Sequence, residues 1–544
     1  MSVSTESAPH AQHVVNHNKM GVWGACAFVV GNIIGSGLFI SPKSILEKTG
    51  SVGLCLVLWA ASAVISIIGA FCYVELGTSI RRSGADFAYL CYVGWFPAAF
   101  TFMSTGCLMT YPATLAVQAQ TFSEYLFKGA KIQLEDENLE YYAKALTSFS
   151  LVWLLLFLNF FSVKYFVSKF QILATLSKVA STCTIIGIGM YFLIIKRFEH
   201  VIQFNLTDAS GKTENLQDPF KGSNWNAGRI AVAFFSSLFS YDGWDILNFG
   251  AEEVENPRKT MSLSIVFGLS FVAIIYISTN LSLFVVLSKD KMLSSDAVAT
   301  TFAQETMGNL QYLMPFFVSI LLIGSLNSTL FSASRYLYAG AREGHLPAFI
   351  AIVNKKHDSP RCSLFYHTVM AMMFCFAGNT EQLISYLGFA QWIQRSLTMC
   401  ALLYIRFTHK PVHPDCFRMP IIMPIAFLLV CASLVVVTII QEIKTAAVGL
   451  SFLVGSLFFY VIFMWDKTLL RYEPYRQGAR KINEKIAIYN QIIFNGLVDS
   501  ESTQEGANEE IKMEQKRRAT TLASLAGTDK VAPNDSSSIK KQRF

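Results

Sequence analysis

The stretch "GNIIGSGLFISPK", Gly31 to Lys43, lies inside an apolar run that otherwise reads as one unbroken helix. Each glycine in a helix interior costs about 0.5–1 kcal/mol relative to alanine. A chain that sets Gly31, Gly35 and Gly37 together, with Pro42 close behind, has a use for exposed backbone there. One use is close helix packing, because Gly31 and Gly35 form a GxxxG pair; the other is a deliberate break. A phosphate loop is excluded, since no Gly-Lys-Ser/Thr follows.

A second run decides between them. "FFSSLFSYDGWDILNFGAEE", residues 234–253, carries Asp242, Gly243 and Asp245 in its middle. A carboxylate at the centre of a bilayer costs at least about 2.5–3.5 kcal/mol on insertion scales. Two of them flanking Gly-Trp must therefore face a cavity, a cation or an interrupted backbone. Breaks in the first and sixth runs predict two five-helix repeats of opposite orientation, each opening with a broken helix. Unwinding leaves amide N–H groups at one half-helix end, which suit a carboxylate, and carbonyls at the other, which suit an ammonium group. An α-amino acid carries both groups on one carbon, so the two breaks read as a receptor for a zwitterion.

The remaining sequence supplies the setting. Of 544 residues, 53% are hydrophobic and 15% charged, against about a quarter charged in soluble domains. Runs long enough to span a bilayer lie near 21–40, 52–75, 89–113, 145–165, 171–195, 229–250, 261–287, 312–340, 363–378, 383–405, 419–441 and 446–465. The third is interrupted by Pro97 and Pro112 and the ninth is short. The expected fold is an all-α integral membrane protein of twelve transmembrane helices. Its first repeat covers 21–195, its second 229–405, and two extra helices lie in 419–465, within a transporter domain of 21–470. Residues 1–20 are polar and lack the pattern of a cleaved leader.

Loop charges alone decide little, but Lys467, Arg471, Arg476, Arg480, Lys481 and Lys485 follow the last run directly and put both termini in the cytosol. The net charge of +7 sits largely there and suits anionic lipid head groups rather than nucleic acid. Residues 471–544 are expected to be a largely disordered cytosolic tail, whose terminal Phe544 is a candidate for a PDZ-type groove. Asn205, in "NLT" on a loop assigned to the outside, is a candidate glycosylation site. The eleven cysteines have no metal-ligand spacing, and the two longest outer loops, about 114–144 and 196–228, contain none. No metal, cofactor or external disulfide is expected. No nucleophile–base set converges on either face, so the chain does not read as an enzyme, and His345 reads as structural.

Four motifs, "GNIIGSGLFISPK", "YVELGTSIRRSGADFAYL", "SLFSYDGWDILNFGAEEVENPRKTM" and "SASRYLYAGAREGHLP", together resemble the L-type amino acid transporters, the light chains of heteromeric amino acid exchangers. The resemblance runs from about residue 20 to 470. It implies sodium-independent amino acid transport at the plasma membrane, by exchange and alternating access. It implies that the backbone of Gly35, Ser36 and Gly37 holds the substrate carboxylate and that the carbonyls of Ile33 and Phe239 accept its amine. The Phe239 ring would be the outer gate, Trp244 and Asp245 would lie at the site, and Lys178 would take the place of sodium, bridging the first and eighth spans.

Two departures stand out. The family's heavy-chain cysteine is missing from "SEYLFKGAKIQLEDENLEYYAKAL", so any glycoprotein heavy chain is expected to bind without a disulfide. Asp242 stands where relatives that carry large neutral substrates have glycine, which leaves two readings open: a partner for basic substrates, or a group bonded within the protein. Arg395, another charge inside a span, has Asp242, Asp245 or Glu252 as candidate partners, with Gln391 and Trp392 on the adjacent turn. The alternatives are a proton- or sodium-coupled carrier of amino acids or polyamines, and a non-transporting sensor or partner subunit.

Overall fold

Lipid offers no hydrogen bonds to a backbone, so a chain this apolar folds into helices that satisfy themselves. The computed structural model describes residues 21–498, apart from 82–83, 133, 161–163, 200–215, 250–253, 343–345, 355–359, 377–379 and 466. The first interrupted run becomes α1 (Val22–Ile33) and α2 (Gly37–Thr49), which meet at 50°. Gly50, in the left-handed region at φ 70°, ends α2, and the Ser51 side chain caps α3 (Val52–Ile80). A short α4 (Ala85–Val93) precedes α5 (Phe96–Thr105), which runs through one π turn, Gly106–Thr110, into α6 (Tyr111–Gly129). Then come α7 (Glu137–Phe160) and α8 (Lys164–Glu199).

The second interrupted run gives α9 (Ala227–Ser240), capped by the Asn226 side chain, and the single turn α10 (Ile246–Phe249). They are followed by α11 (Pro257–Val286), the short α12 (Lys289–Leu293) and α13 (Val298–Thr306), and α14 (Leu313–Arg342). A two-residue strand β1 (Ile352–Val353) leads to α15 (Arg361–Cys375), α16 (Thr380–Phe407), α17 (Ile422–Gln441) and α18 (Ile443–Phe459), the last extended by a π turn to Met464. Finally α19 (Glu473–Phe494) leads into β2 (Leu497–Val498). The packing places α11 against α1, α3 and α8, α14 against α6 and α8, and α16 against α9 and α17.

Among the described residues, seven helical stretches are long and apolar enough to cross a membrane, and the bent α1–α2 pair makes an eighth. The other expected spans fall short for visible reasons. α9 is cut at Ser240, α15 has 15 residues, α16 carries Glu381, Arg395 and Arg406, and the third span is divided by its π turn.

Two expectations are corrected. The third span does not stop near residue 113: α6 continues to Gly129 with Leu115, Val117, Ser123 and Tyr125 buried, so most of the supposed loop 114–144 is helix. Pro112 follows directly on the π turn, which closes with Tyr111 N–H on the Gly106 carbonyl, and the helix passes it without ending. The tail is also ordered further than expected. α19 is a 22-residue helix, and β2 pairs antiparallel with β1, Ile352 opposite Val498. Residues 499–544, Phe544 among them, and Asn205 lie outside the described residues.

The far end of α19 is fastened by Phe494, whose ring lies 5.9 Å from that of Phe160 and 5.5 Å from that of Phe365. Arg361 ties the same corner, donating to the carbonyls of Phe160 (3.0 Å) and Phe494 (3.2 Å). Asn354 adds a bond to the Asn495 carbonyl at 2.5 Å. Replacing Phe494 with alanine is expected to remove on the order of 3 kcal/mol from this clasp. Limited proteolysis should then cut within Glu473–Phe494 faster than in the parent protein, while the rest of the bundle keeps its pattern.

Candidate functional site

The two breaks meet. At the first, α1 ends with Ile34 N–H on the Val30 carbonyl (2.9 Å), and Ile34 turns to ψ 96°. α2 then begins at Gly37, with Phe39 N–H on the Ser36 carbonyl at 2.9 Å. The opening amides of a helix have no acceptor within it, and here those amides belong to Gly37 and the residues after it, beside the break. Gly35, Ser36 and Gly37 are all buried. At the second break, Tyr241–Asp245 form consecutive turns, with Gly243 at φ 100°. The Asn32 side-chain amide donates to the Gly243 carbonyl at 3.1 Å and links one break to the other.

Glycine at 37 is a steric requirement. A Cβ there would lie 2.6 Å from the Ser240 Cα. This close approach continues as a hydroxyl seam between α2 and α9. Ser41 donates to the Ser236 carbonyl (2.7 Å), Ser240 to the Ser41 hydroxyl (2.7 Å), and Ser44 lies 2.9 Å from the Ser236 hydroxyl. The seam ends in charge, with Lys48 on Glu381 at 2.8 Å and Lys43 on Asp296 at 2.8 Å. Burial opposes ionisation of Asp296, but the Lys43 ammonium outweighs it and holds the carboxyl below its ordinary range.

Both helix ends turn carbonyls toward one residue that the sequence did not single out. The Tyr276 hydroxyl, fully buried on α11, lies 2.8 Å from the Ile33 carbonyl oxygen and 3.0 Å from that of Ser240. Trp59 and Tyr241 pack around its ring, with centroids at 5.5 and 5.0 Å. The carbonyl beside Ile33 is thus that of Ser240. Phe239, the expected partner, spends its carbonyl on the Asp242 amide at 3.2 Å. The Phe239 ring is half-buried and packs against the apolar cluster formed by Ala113, Ala116, Val117, Leu383, Ile384 and Leu387.

Lys178 is buried on α8 and donates to the Gly31 carbonyl at 3.2 Å. Its ammonium therefore meets the last turn of α1, where a helix presents unsatisfied carbonyls.

Asp242 does not stand alone. Arg395 on α16 places its guanidinium 2.5 Å from Asp242 Oδ1, and Gln391 Nε2 lies 3.5 Å from Oδ2. The guanidinium is held between the rings of Trp244 (4.8 Å) and Trp392 (4.9 Å). Trp244 in turn meets Tyr73 edge-on at 5.1 Å. A third carboxylate, Asp86 on α4, is buried and accepts from Tyr73 (2.5 Å), Gln394 (2.8 Å) and Thr398 (2.7 Å). Asp245 is half-exposed, and its carbonyl accepts from Asn248, whose own amide oxygen takes the Tyr89 hydroxyl at 2.9 Å. Of the two open readings for Asp242, the geometry realises the bond within the protein.

Ile33, Gly35, Ser36, Gly37, Asp242 and Trp244 all belong to this junction, with Phe239 at its edge and Lys178 behind α1. Tyr276 and Asp86 were missed because neither breaks a local pattern: each is a polar residue in an otherwise regular helix. Among the described residues no group of three histidine, cysteine or acidic side chains could hold a metal ion, and the cysteines are thiols rather than disulfides.

Residues 20–465 match the amino acid permease family. Amino acid transporter protein 6 of Caenorhabditis elegans is 52% identical over 490 residues, covering 90% of this chain and 91% of that protein. The human cystine/glutamate transporter is 31% identical over 494 residues, 91% of this chain and 93% of its own. The mouse b(0,+)-type amino acid transporter 1 is 32% identical over 454 residues, 82% and 88% respectively.

Changing Tyr276 to phenylalanine keeps the ring but strands the carbonyls of Ile33 and Ser240. The expected cost is about 1–3 kcal/mol, read as a lowered melting temperature of the purified protein.

Proposed function

Because this chain belongs to the amino acid permease family and is an amino acid transporter, we propose that it carries neutral L-amino acids by sodium-independent exchange, with the paired helix breaks as the receptor. The observation that carries this reading is the meeting of α1–α2 with α9–α10 through Asn32, Tyr276 and the Gly37–Ser240 contact. The substrate carboxylate binds the amides of Ser36 and Gly37. Its ammonium binds the carbonyls of Ile33 and Ser240, taking over positions that the Tyr276 hydroxyl now covers. Relatives named as a cystine/glutamate transporter and a b(0,+)-type amino acid transporter support amino acid transport as the reaction class.

Neutral side chains are favoured because Asp242 is already paired with Arg395. Asp245 and Trp244 line the floor beneath the side chain, and the Phe239 ring closes over it from the outer side. Lys178 replaces a coupling sodium by placing its own ammonium on the Gly31 carbonyl. Twelve spans, arranged as two inverted five-helix repeats and two further helices, would let α1–α2 and α9–α10 rock against the remaining bundle. Both ends lie in the cytosol of a plasma-membrane protein, and a glycoprotein heavy chain, where one binds, binds without a disulfide.

Three measurements test the proposal. Replacing sodium by choline should leave labelled leucine uptake unchanged, whereas a drop of several-fold would exclude the role given to Lys178. External leucine should speed the exit of preloaded leucine from vesicles; equal exit with and without it would exclude exchange. Gly37→Val should abolish uptake at normal surface abundance, because its side chain drives into Ser240.

A further inference from the structure

Asp242 sits in the second helix break with its side chain about a third exposed (31%), while its partner Arg395 is nearly buried (7%). The counter-ion therefore comes from the protein's interior and the carboxylate looks into the gap. Arg395 is not free to swing away, being stacked between Trp244 and Trp392 at 4.8 and 4.9 Å. Its hold on the carboxylate is a single close contact at 2.5 Å, and the second oxygen has only Gln391 at 3.5 Å. The neighbouring side chains Asp86, occupied by three donors, and Asp245 are themselves acids and cannot replace the guanidinium as counter-ion. Removing the guanidinium would leave Asp242 without a cation at a site only about a third open, where an unpaired charge is unfavourable. A guanidinium or ammonium arriving on a ligand would restore the pair.

We propose that Arg395 is a specificity-determining residue: a tethered cation that occupies Asp242, so that the site accepts uncharged side chains and rejects arginine and lysine. The inference rests on the transport reading above. Arg395 touches Asp242 and not the amino acid backbone groups, so its loss changes which side chains are taken more than whether any amino acid is taken.

The test measures uptake of labelled leucine, arginine and glutamate at equal surface abundance. Arg395→Met, which fills the space between the two indoles, should move the arginine-to-leucine ratio upward by about tenfold or more. Adding Asp242→Asn to it should abolish that gain, and methylguanidinium should inhibit arginine uptake by the single variant while sparing leucine uptake by the parent. Asp242→Asn alone frees the guanidinium and should raise glutamate uptake relative to leucine, an arm that decides the matter if Arg395→Met does not reach the surface. Unchanged ratios with leucine uptake intact, or a parent protein that takes arginine as readily as leucine, overturn the inference alone. A parent that takes up no amino acid overturns the transport reading with it.

Discussion

One hydroxyl carries the central constraint. Two helices that stop in mid-membrane each leave carbonyls that lipid cannot satisfy, and the structure brings the two ends to the Tyr276 hydroxyl, 2.8 Å from Ile33 and 3.0 Å from Ser240. A hydroxyl has one proton to donate, so it cannot fully satisfy both at once. The breaks are thus held in register yet left with unmet hydrogen-bonding capacity. That is the condition a binding site needs: a backbone ordered enough to recognise a small dipolar solute and incompletely satisfied without it. Trp59 and Tyr241 fix the ring that bears the hydroxyl, and Gly37 permits the helix approach that makes the shared contact possible.

The junction is unequal on its two sides. Toward α2 and α9 it is sealed by the Ser41, Ser44, Ser236 and Ser240 hydroxyls and closed at the end by Lys48–Glu381 and Lys43–Asp296. Toward α1 the outward face carries Trp23, Gly31 and Asn32, while Asn32 and Gly31 are tied to Gly243 and Lys178. Hydroxyl bonds exchange readily with water, so a serine seam can open without stranding a charge. The ion pairs at its rim lie where solvent reaches them and are individually weak.

Much of this was legible from residues alone. Glycines at 31, 35 and 37 and the Asp-Gly-Trp-Asp sequence disturb apolar runs that have no other reason to be disturbed, and both disturbances are breaks. The helices of the bundle follow from unrelieved apolar runs such as Val52–Ile80. What escaped notice is set by tertiary contact. Proline at 112 looks like the end of a span, yet a π turn just ahead lets the helix continue. Tyr276 is one tyrosine among 21, and its role exists only because α11 passes both breaks. The partner of Arg395 was one of three candidates in the sequence, since charge alone does not rank carboxylates that lie at similar depth. The polar stretch after Glu473 gave no hint of order because its anchors, Phe160, Asn354 and Arg361, are more than a hundred residues away.

The clasp at Phe494 also has a bearing on biogenesis. Its receiving surface, the ends of α7 and α15 and the strand at Ile352, leaves the ribosome long before the segment that covers it. Until residues near 498 emerge, the aromatic corner of Phe160, Phe365 and Tyr366 stays uncovered. The clasp is therefore completed only once Glu473–Val498 has been made, and a nascent chain halted before that point would present quality-control chaperones with an apolar corner that this segment covers.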